Sequence, residues 1–292
     1  MKNHFLLLMD HLALPAEGDA FLRQAGIEIL SRYESNFNAL IDELYERDFP
    51  MMEILPKAEA LAKDYHEYTV RFVFLACTFQ RMHKDYEAAG LSEELYWDTV
   101  SDLKSKALEC KQLYDIWGTG TGAWYANFFR LKIFRLGRLQ FEKAPFRGKE
   151  PVTVDGVTVQ PGQSVYNVHI PSGGSISPEA CEDSFQRAKA FFKEEPLILH
   201  CGSWLMYNEN PKIFPSAKNV LAFREQFQIY ESRPKPEGED LWRIFGKDFD
   251  GDVTSLPQNT SMQKETAAWL SAGNQIGIGF GLKILKKTRK TP

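Results

Sequence analysis

The apolar positions in the first 117 residues recur at helical spacing. Leu61, Tyr65, Tyr68, Phe72, Leu75, Phe79, Met82 and Tyr86 follow one another at steps of 4, 3, 4, 3, 4, 3 and 4, which predicts one apolar stripe along about seven helical turns. A second stripe runs through Tyr96, Val100, Leu103, Ala107, Cys110, Tyr114 and Trp117. Ser92 in front of it is a good N-cap, and Glu93 and Glu94 suit the positive end of a helix dipole. An earlier helix is expected over Asp19 to Glu46, ending before Pro50. Stripes this regular need partners, so these helices are expected to pack on one another.

After Trp117 the period changes to two. "GTGTGAW" (Gly118 to Trp124) follows a helix and not a strand, so it reads as a helix C-cap and interdomain hinge, not as a dinucleotide loop. Leu139 and Phe141 alternate with polar residues. "VTVDGVTV" (Val152 to Val159) predicts two strands about Asp155-Gly156. An Asp-Gly turn would set Val154 opposite Val157 and Val152 opposite Val159. A strand over Ser164–Ile170 leads through Ser172-Gly173-Gly174-Ser175 into a helix from Pro178, with the stripe Cys181, Phe185, Ala188, Phe192. "LILHCGSWLM" after Pro196 is a second short apolar run. Strand, helix and strand in this order make a βαβ unit with a right-handed parallel crossover. "NVLAFREQFQIY" (Asn219 to Tyr230) and "LWRIFG" (Leu241 to Gly246) read as strands joined by the loop "ESRPKPEGED". Thr260 and Gln263 suit a capping box, with Gly273 closing that helix, and "QIGIGFGLKIL" reads as a last strand. The pattern predicts a helical domain over residues 1–117 and a mixed-sheet α/β domain over 118–292, an α+β or α/β chain overall.

Composition narrows the function. Net charge is 35 − 39 = −4, which argues against nucleic acid as a partner. The tail "LKKTRK", ending at Lys290, reads as a solubilising end. Four dispersed cysteines read as reduced core thiols, with no zinc-ligand spacing. "FLLLM" near the start is short for a secretory segment, and no run approaches the roughly 20 apolar residues of a membrane span. A cytoplasmic protein acting on a small molecule, with no membrane, nucleic-acid or metal partner, is expected.

The candidate chemistry gathers at the carboxyl ends of the two parallel strands, where open α/β sheets collect ligands. His169 and His200 stand there, and either imidazole could accept a proton near neutrality. The Ser172, Gly173, Gly174, Ser175 turn and the helix start behind it could hold a phosphate group on backbone amides, or serve only as the crossover turn. Ser203 and Trp204 follow His200 closely enough to wall an acceptor. Strict alternation in the Asn219–Tyr230 strand would bury Glu225 among Leu221, Phe223, Phe227 and Ile229, a setting that raises a carboxyl toward general-base range; a bulge or edge would expose it. Cys201 or Ser203 as a covalent nucleophile is a weaker reading, because no GxSxG elbow surrounds them. "GKDFDGDVTS" (Gly246 to Ser255) mimics a calcium loop but misplaces its glycine, and reads as a polar turn.

"FRLGRLQFE", "VHIPSGGSISPEACEDSFQRAKAFF", "LHCGSWLM", "NVLAFREQF" and "SLPQNTSMQKETAAWLSAG" occur in this order. Together they resemble bacterial acyltransferase-domain proteins that pair a helical N-acyltransferase amino-terminal domain with a GNAT-like carboxyl-terminal domain. The resemblance implies a sheet whose two central parallel strands splay, with acyl-CoA or acetyl-CoA between them as cosubstrate. It places the pyrophosphate on the Ser172–Ser175 turn and has an amine attack the thioester directly. It supplies no catalytic residue. The usual pyrophosphate signature of such folds, Arg or Gln with two spaced glycines, is not present in "PSGGS". An N-acyltransferase is the leading expectation, and a non-catalytic ligand-binding or scaffold protein on the same frame is the alternative.

Overall fold

The computed structural model describes residues 1–235, 238 and 240–286. Part of the "ESRPKPEGED" loop and the end of the basic tail lie outside the described residues. The chain forms two compact units, Met1–Arg135 with Pro171–Gly173, and Leu136–Ile170 with the residues from Gly174 on.

The first unit is helical: α1 (Lys2–Leu12), α2 (Ala16–Glu46), α3 (Met51–Glu59), α4 (Glu67–Ala88), α5 (Glu93–Val100), α6 (Asp102–Tyr114) and α7 (Ala126–Phe129), then β1 (Ile133–Leu136), on which the chain passes to the second unit. α4 is buried on all sides along Phe72 to Phe79, so it is the central helix of this unit. Phe74 meets Phe37 of α2 edge to face at 5.3 Å, and Phe79 meets Phe129 of α7 at 5.4 Å. The long first stripe is shorter than its spacing predicts. His66 caps α4 by accepting from the Tyr68 amide at 3.1 Å, which leaves Leu61 and Tyr65 in the preceding turn. The second stripe breaks at Ser101 into α5 and α6, and Ser92 caps α5 as expected, accepting from Leu95 N at 3.2 Å. The Gly118–Trp124 loop, expected as an interdomain hinge, lies inside this unit, and the chain leaves the unit after Arg135. Thr119 N donates to Tyr68 O at 2.9 Å, and a Cβ on Gly118 would stand 2.4 Å from the Tyr68 carbonyl carbon.

The second unit holds β2 (Leu139–Pro145), β3 (Val152–Val154), β4 (Val157–Val159), β5 (Ser164–His169), α8 (Pro178–Phe192), β6 (Leu197–Ser203), α9 (Asn210–Ile213), α10 (Lys218–Glu225), β7 (Gln228–Pro234), α11 (Trp242–Phe245), α12 (Ser261–Ser271) and β8 (Gly277–Leu285). Its strands lie side by side in the order β2-β5-β6-β8-β7, and β5–β6 is the parallel pair among these neighbours. The crossover between them is α8, as the sequence predicts. The β3–β4 hairpin has the predicted register, Val152 opposite Val159 and Val154 opposite Val157. It packs with Phe146, Val165, Ile198, Leu282 and Ile284 over part of one sheet face. α8 covers the other face, where Tyr166 and Phe192 rings lie 3.9 Å apart. The capping box at Thr260 and Gln263 forms. No described helix is long and apolar enough to cross a membrane.

Two expected strands are helices. Asn219–Tyr230 divides into α10 and β7. Val220 and Phe223 are the buried residues of α10, a spacing of i, i+3 that belongs to a helix and that the overlapping alternation of Leu221, Phe223, Phe227 and Ile229 conceals. Leu241–Gly246 is the short α11, closed by Gly246 at φ 72°. Its Leu241, Ile244 and Phe245 form one cluster with Leu256, Ala267 and Ile276.

Candidate active site

The sheet opens at its centre. β5 and β6 pair at Tyr166↔Leu199 and Asn167↔His200. Beyond these residues β5 continues along β2 to His169 and β6 continues along β8 to Ser203, and no further pair joins β5 to β6. Two parallel strands therefore part toward their carboxyl ends, where open α/β sheets collect ligands.

Side-chain alternation then sorts what faces the split. Val165, Asn167 and His169 share one face of β5, and Ile198, His200 and Gly202 share the matching face of β6. The hairpin covers Val165 and Ile198. Past its cover, Glu142 of β2 stands beside Asn167, Asn167 beside His200, and His200 beside Leu282 of β8. Tyr230 reaches the same place from β7, whose register shifts by a bulge between Ile229 and Glu231.

These groups form one hydrogen-bonded chain. Asn167 Nδ2 donates to Glu142 Oε2 at 3.4 Å, which turns Asn167 Oδ1 toward His200 Nδ1 at 2.8 Å. Oδ1 can only accept, so Nδ1 carries the proton, and His200 Nε2 accepts from the Tyr230 hydroxyl at 3.0 Å. His169 Nε2 lies 2.8 Å from Glu142 Oε2 and donates to it. Burial drives the His200 pKa from 6.5 down to about 4, with the charge of His169 adding to it. Phe146 and Phe280, with ring centroids 5.8 and 6.3 Å from the imidazole, supply apolar surroundings. Gly202 makes room for Phe280, since a Cβ there would meet its ring at 2.9 Å. Burial also pushes Tyr230 up to about 12, aided by Glu231. Desolvation pushes the Glu142 carboxyl up, but the hydrogen bond and charge of His169, then Asn167 and Arg147, outweigh it and hold the group below its ordinary value. At neutral pH the arrangement is thus a neutral imidazole with a lone pair on Nε2, a protonated phenol and an ionised carboxylate.

The other expected residues are placed as follows. Gly173 and Gly174 are both left-handed, at φ 81° and 76°, as only glycine takes easily in succession. Within the second unit, Arg138 donates to Ser175 O at 3.0 Å and to Gly174 O at 3.2 Å, and Asn219 donates to Ser175 Oγ at 3.0 Å. These bonds occupy carbonyls and a hydroxyl; no amide from Gly174 to Ile176 donates a hydrogen bond among the described residues. In the first unit the Ser172 hydroxyl donates to Glu109, and Ser105 Oγ donates to Ser172 O at 3.3 Å. Ser177 caps α8 by accepting from Ala180 N at 3.3 Å. Ser203 Oγ accepts from Leu205 N at 3.2 Å, and Trp204 is half-buried against the α11–α12 cluster. Cys201 lies fully buried, its thiol pushed up to about 12 by desolvation, so it holds no thiolate for covalent catalysis. Glu225 is not a carboxylate buried in a strand. It is the exposed last residue of α10 and joins no hydrogen bond or ion pair among the described residues. The Asp250–Ser255 segment is a turn in which Asp252 Oδ1 accepts from Thr254 N at 2.8 Å. No described group of three His, Cys, Asp or Glu side chains could hold a metal ion.

The structure brings His200 and His169, singled out in the sequence, together with Glu142, Asn167 and Tyr230, which were not singled out there. Asn167 was within reach, since it precedes His169 by two residues and shares its face. Glu142 and Tyr230 come from strands whose register no local pattern specifies.

Among solved structures, an acyltransferase in complex with decanoyl-CoA and teicoplanin resembles this chain at a TM-score of 0.71 and 18% identity, over 95% of this chain and 86% of the other. An acyltransferase mutant in complex with octanoyl-CoA matches at 0.71 and 19% over the same shares. An acyltransferase in complex with decanoyl-CoA matches at 0.69 and 21%, again over 95% and 86%. At such identities the likeness is one of fold. No curated protein matches the chain. Residues 6–131 match the N-acyltransferase N-terminal domain and residues 133–283 match the GNAT-like C-terminal domain. The chain belongs to the family that joins these two domains, as the order of its sequence motifs implied.

Proposed function

We propose that the protein is an N-acyltransferase that moves an acyl group from acyl-CoA to an amine by direct attack. The observation that carries this reading is His200, held neutral with its accepting nitrogen turned to Tyr230, where β5 and β6 part. The amine nitrogen attacks the thioester carbonyl carbon, the C–S bond breaks, and CoA leaves as thiolate. As the new C–N bond forms, the amine proton passes to the Tyr230 oxygen while the Tyr230 proton passes to His200 Nε2. The imidazolium returns its proton to the thiolate by the same path. General-base assistance of this kind is worth about 10²–10⁴-fold in rate.

The unpaired amides of Gly174, Ser175 and Ile176, at the positive end of α8, suit the pyrophosphate of CoA. Ser203 and Trp204, which follow His200 at the end of β6, are the residues assigned to the acceptor in this reading. The decanoyl-CoA and octanoyl-CoA held by structures of the same fold favour a medium-chain donor.

Isothermal titration with acetyl-, octanoyl- and decanoyl-CoA tests the donor. Release of CoA thiol with glucosamine, putrescine and teicoplanin tests the acceptor. Micromolar to millimolar binding of at least one thioester supports the reading; binding of none contradicts it. A protein that binds acyl-CoA but releases no thiol with any amine is the non-catalytic binder.

A further inference from the structure

His200 can serve as a base toward Tyr230 only in one of its two neutral forms, and the selection of that form lies outside the imidazole. We infer that Asn167, held by Glu142, is the positioning residue that sets the His200 tautomer, and that His169 anchors Glu142 instead of acting as a second base. The inference rests on the acyltransferase reading for its catalytic meaning, though its geometry is independent of it.

An asparagine side chain presents a donor on one arm and an acceptor on the other, and can turn over to exchange them. Beside a histidine alone, Asn167 could satisfy either tautomer. Glu142 removes that freedom. Its ionised carboxylate accepts only, so the Asn167 NH₂ must face it and Oδ1 must face His200 Nδ1. Nδ1 then holds the proton, and the lone pair falls on Nε2, where Tyr230 donates. The register of the strands fixes this sequence of groups, because Glu142, Asn167 and His200 are consecutive partners across β2, β5 and β6. His169 completes it from two residues along β5, donating to the same Glu142 oxygen at 2.8 Å. That bond holds the carboxylate against the sheet and helps keep it ionised. A carboxylate fixes an amide, and the amide fixes an imidazole, without the carboxylate or the amide touching the reacting atoms. An orienting residue that selects a histidine tautomer has a well-known counterpart in hydrolytic triads.

The charged and titratable groups near His200 are Glu142 and the following Arg147, His169 on β5, and Tyr230 and Glu231 on β7. An aspartate at position 167 would add a carboxylate directly against Nδ1–H, which favours the imidazolium.

Nitrogen-15 NMR of histidine-labelled protein reads the ring tautomers without any substrate. The chain has six histidines, and the His200→Ala spectrum identifies the signals of His200. In the wild type His200 is expected as the Nδ1–H form, with little titration down to about pH 5, because burial holds its pKa to about 4. Asn167→Ala removes the selecting acceptor and is expected to convert His200 to Nε2–H or to a mixture. Asn167→Asp keeps the shape and the acceptor, so Nδ1–H persists while the titration moves up by at least tenfold in proton concentration. Retention of pure Nδ1–H in Asn167→Ala overturns the inference, as does an unmoved titration in Asn167→Asp. If His200→Ala keeps wild-type thiol release while these shifts occur, the acyltransferase role of His200 fails and the positioning stands.

Discussion

Each unit of the molecule contains a partly buried His–Tyr pair, and the two hydrogen bonds run in opposite directions. In the first unit, His4 Nε2 lies 3.1 Å from the Tyr96 hydroxyl, which donates its one proton to Phe79 O at 2.9 Å. His4 must therefore donate to Tyr96. In the second unit, Tyr230 donates to His200, because Asn167 has claimed the proton on Nδ1. Burial takes both imidazoles from 6.5 to about 4, helped in His4 by the charges of His83 and the amino terminus and in His200 by His169. The shared low pKa therefore does not distinguish a site from a core. The direction of the hydrogen bond does: His4 spends its proton tying α1 to a tyrosine of α5 that is itself tied to α4, whereas His200 keeps a lone pair paired with a proton that can move. His4 also lies among the His83, Tyr96 and Trp97 rings, with centroids 4.4–6.3 Å from one another, which is the packing of a structural cluster.

The comparison can be broken most strongly with acid. Below pH 6.5 the unfolded chain binds protons on these two histidines that the folded chain refuses, so stability falls as pH drops from about 6.5 to 4 and this contribution is constant below that. A fully depressed histidine would lose about 3 kcal/mol over that window, and partial exposure of both rings reduces the figure. Urea unfolding from pH 7 to pH 4 is expected to show this slope shallower in His4→Ala and in His200→Ala by similar amounts. A slope unchanged in both would show that neither ring is held neutral by burial.

A smaller effect separates the tyrosines. Tyr96→Phe leaves His4 without its acceptor and removes the side-chain bond to the Phe79 carbonyl, and is expected to cost about 1–3 kcal/mol of stability with turnover kept. Tyr230→Phe leaves a half-buried site with one bond fewer, costs about 1 kcal/mol or less, and lowers kcat without weakening octanoyl-CoA binding. Chemical denaturation and thiol release on the same two proteins check this. Equal losses of stability and turnover in both would erase the distinction.

Local signals made the frame legible. Asp155-Gly156 between valine pairs specified the hairpin and its register, and Ser177-Pro178-Glu179 specified the start of α8. The Thr260 capping box was equally plain. His169 was legible at the end of β5, whereas His200, expected at the end of β6, stands within that strand, three residues before its last. What failed did so where two periods coincided: Val220 and Phe223 fit the i, i+3 spacing of a helix while Leu221 to Ile229 fit strict alternation, and the chain forms a helix that leaves Glu225 in solvent before β7 begins. The network around His200 was illegible for another reason. Glu142, Asn167, His200 and Tyr230 meet through pairing across β2, β5, β6, β8 and β7 and through a bulge, and such register is a property of the assembled sheet.

The central claim, that His200 accepts the proton of acyl transfer, is tested most directly by thiol release from octanoyl-CoA in the presence of amine acceptors, comparing wild type with His200→Ala while calorimetry follows thioester binding. Binding preserved within a few-fold and turnover reduced by about 100-fold or more is the predicted result. Turnover equal to wild type in His200→Ala, with binding intact, would contradict it.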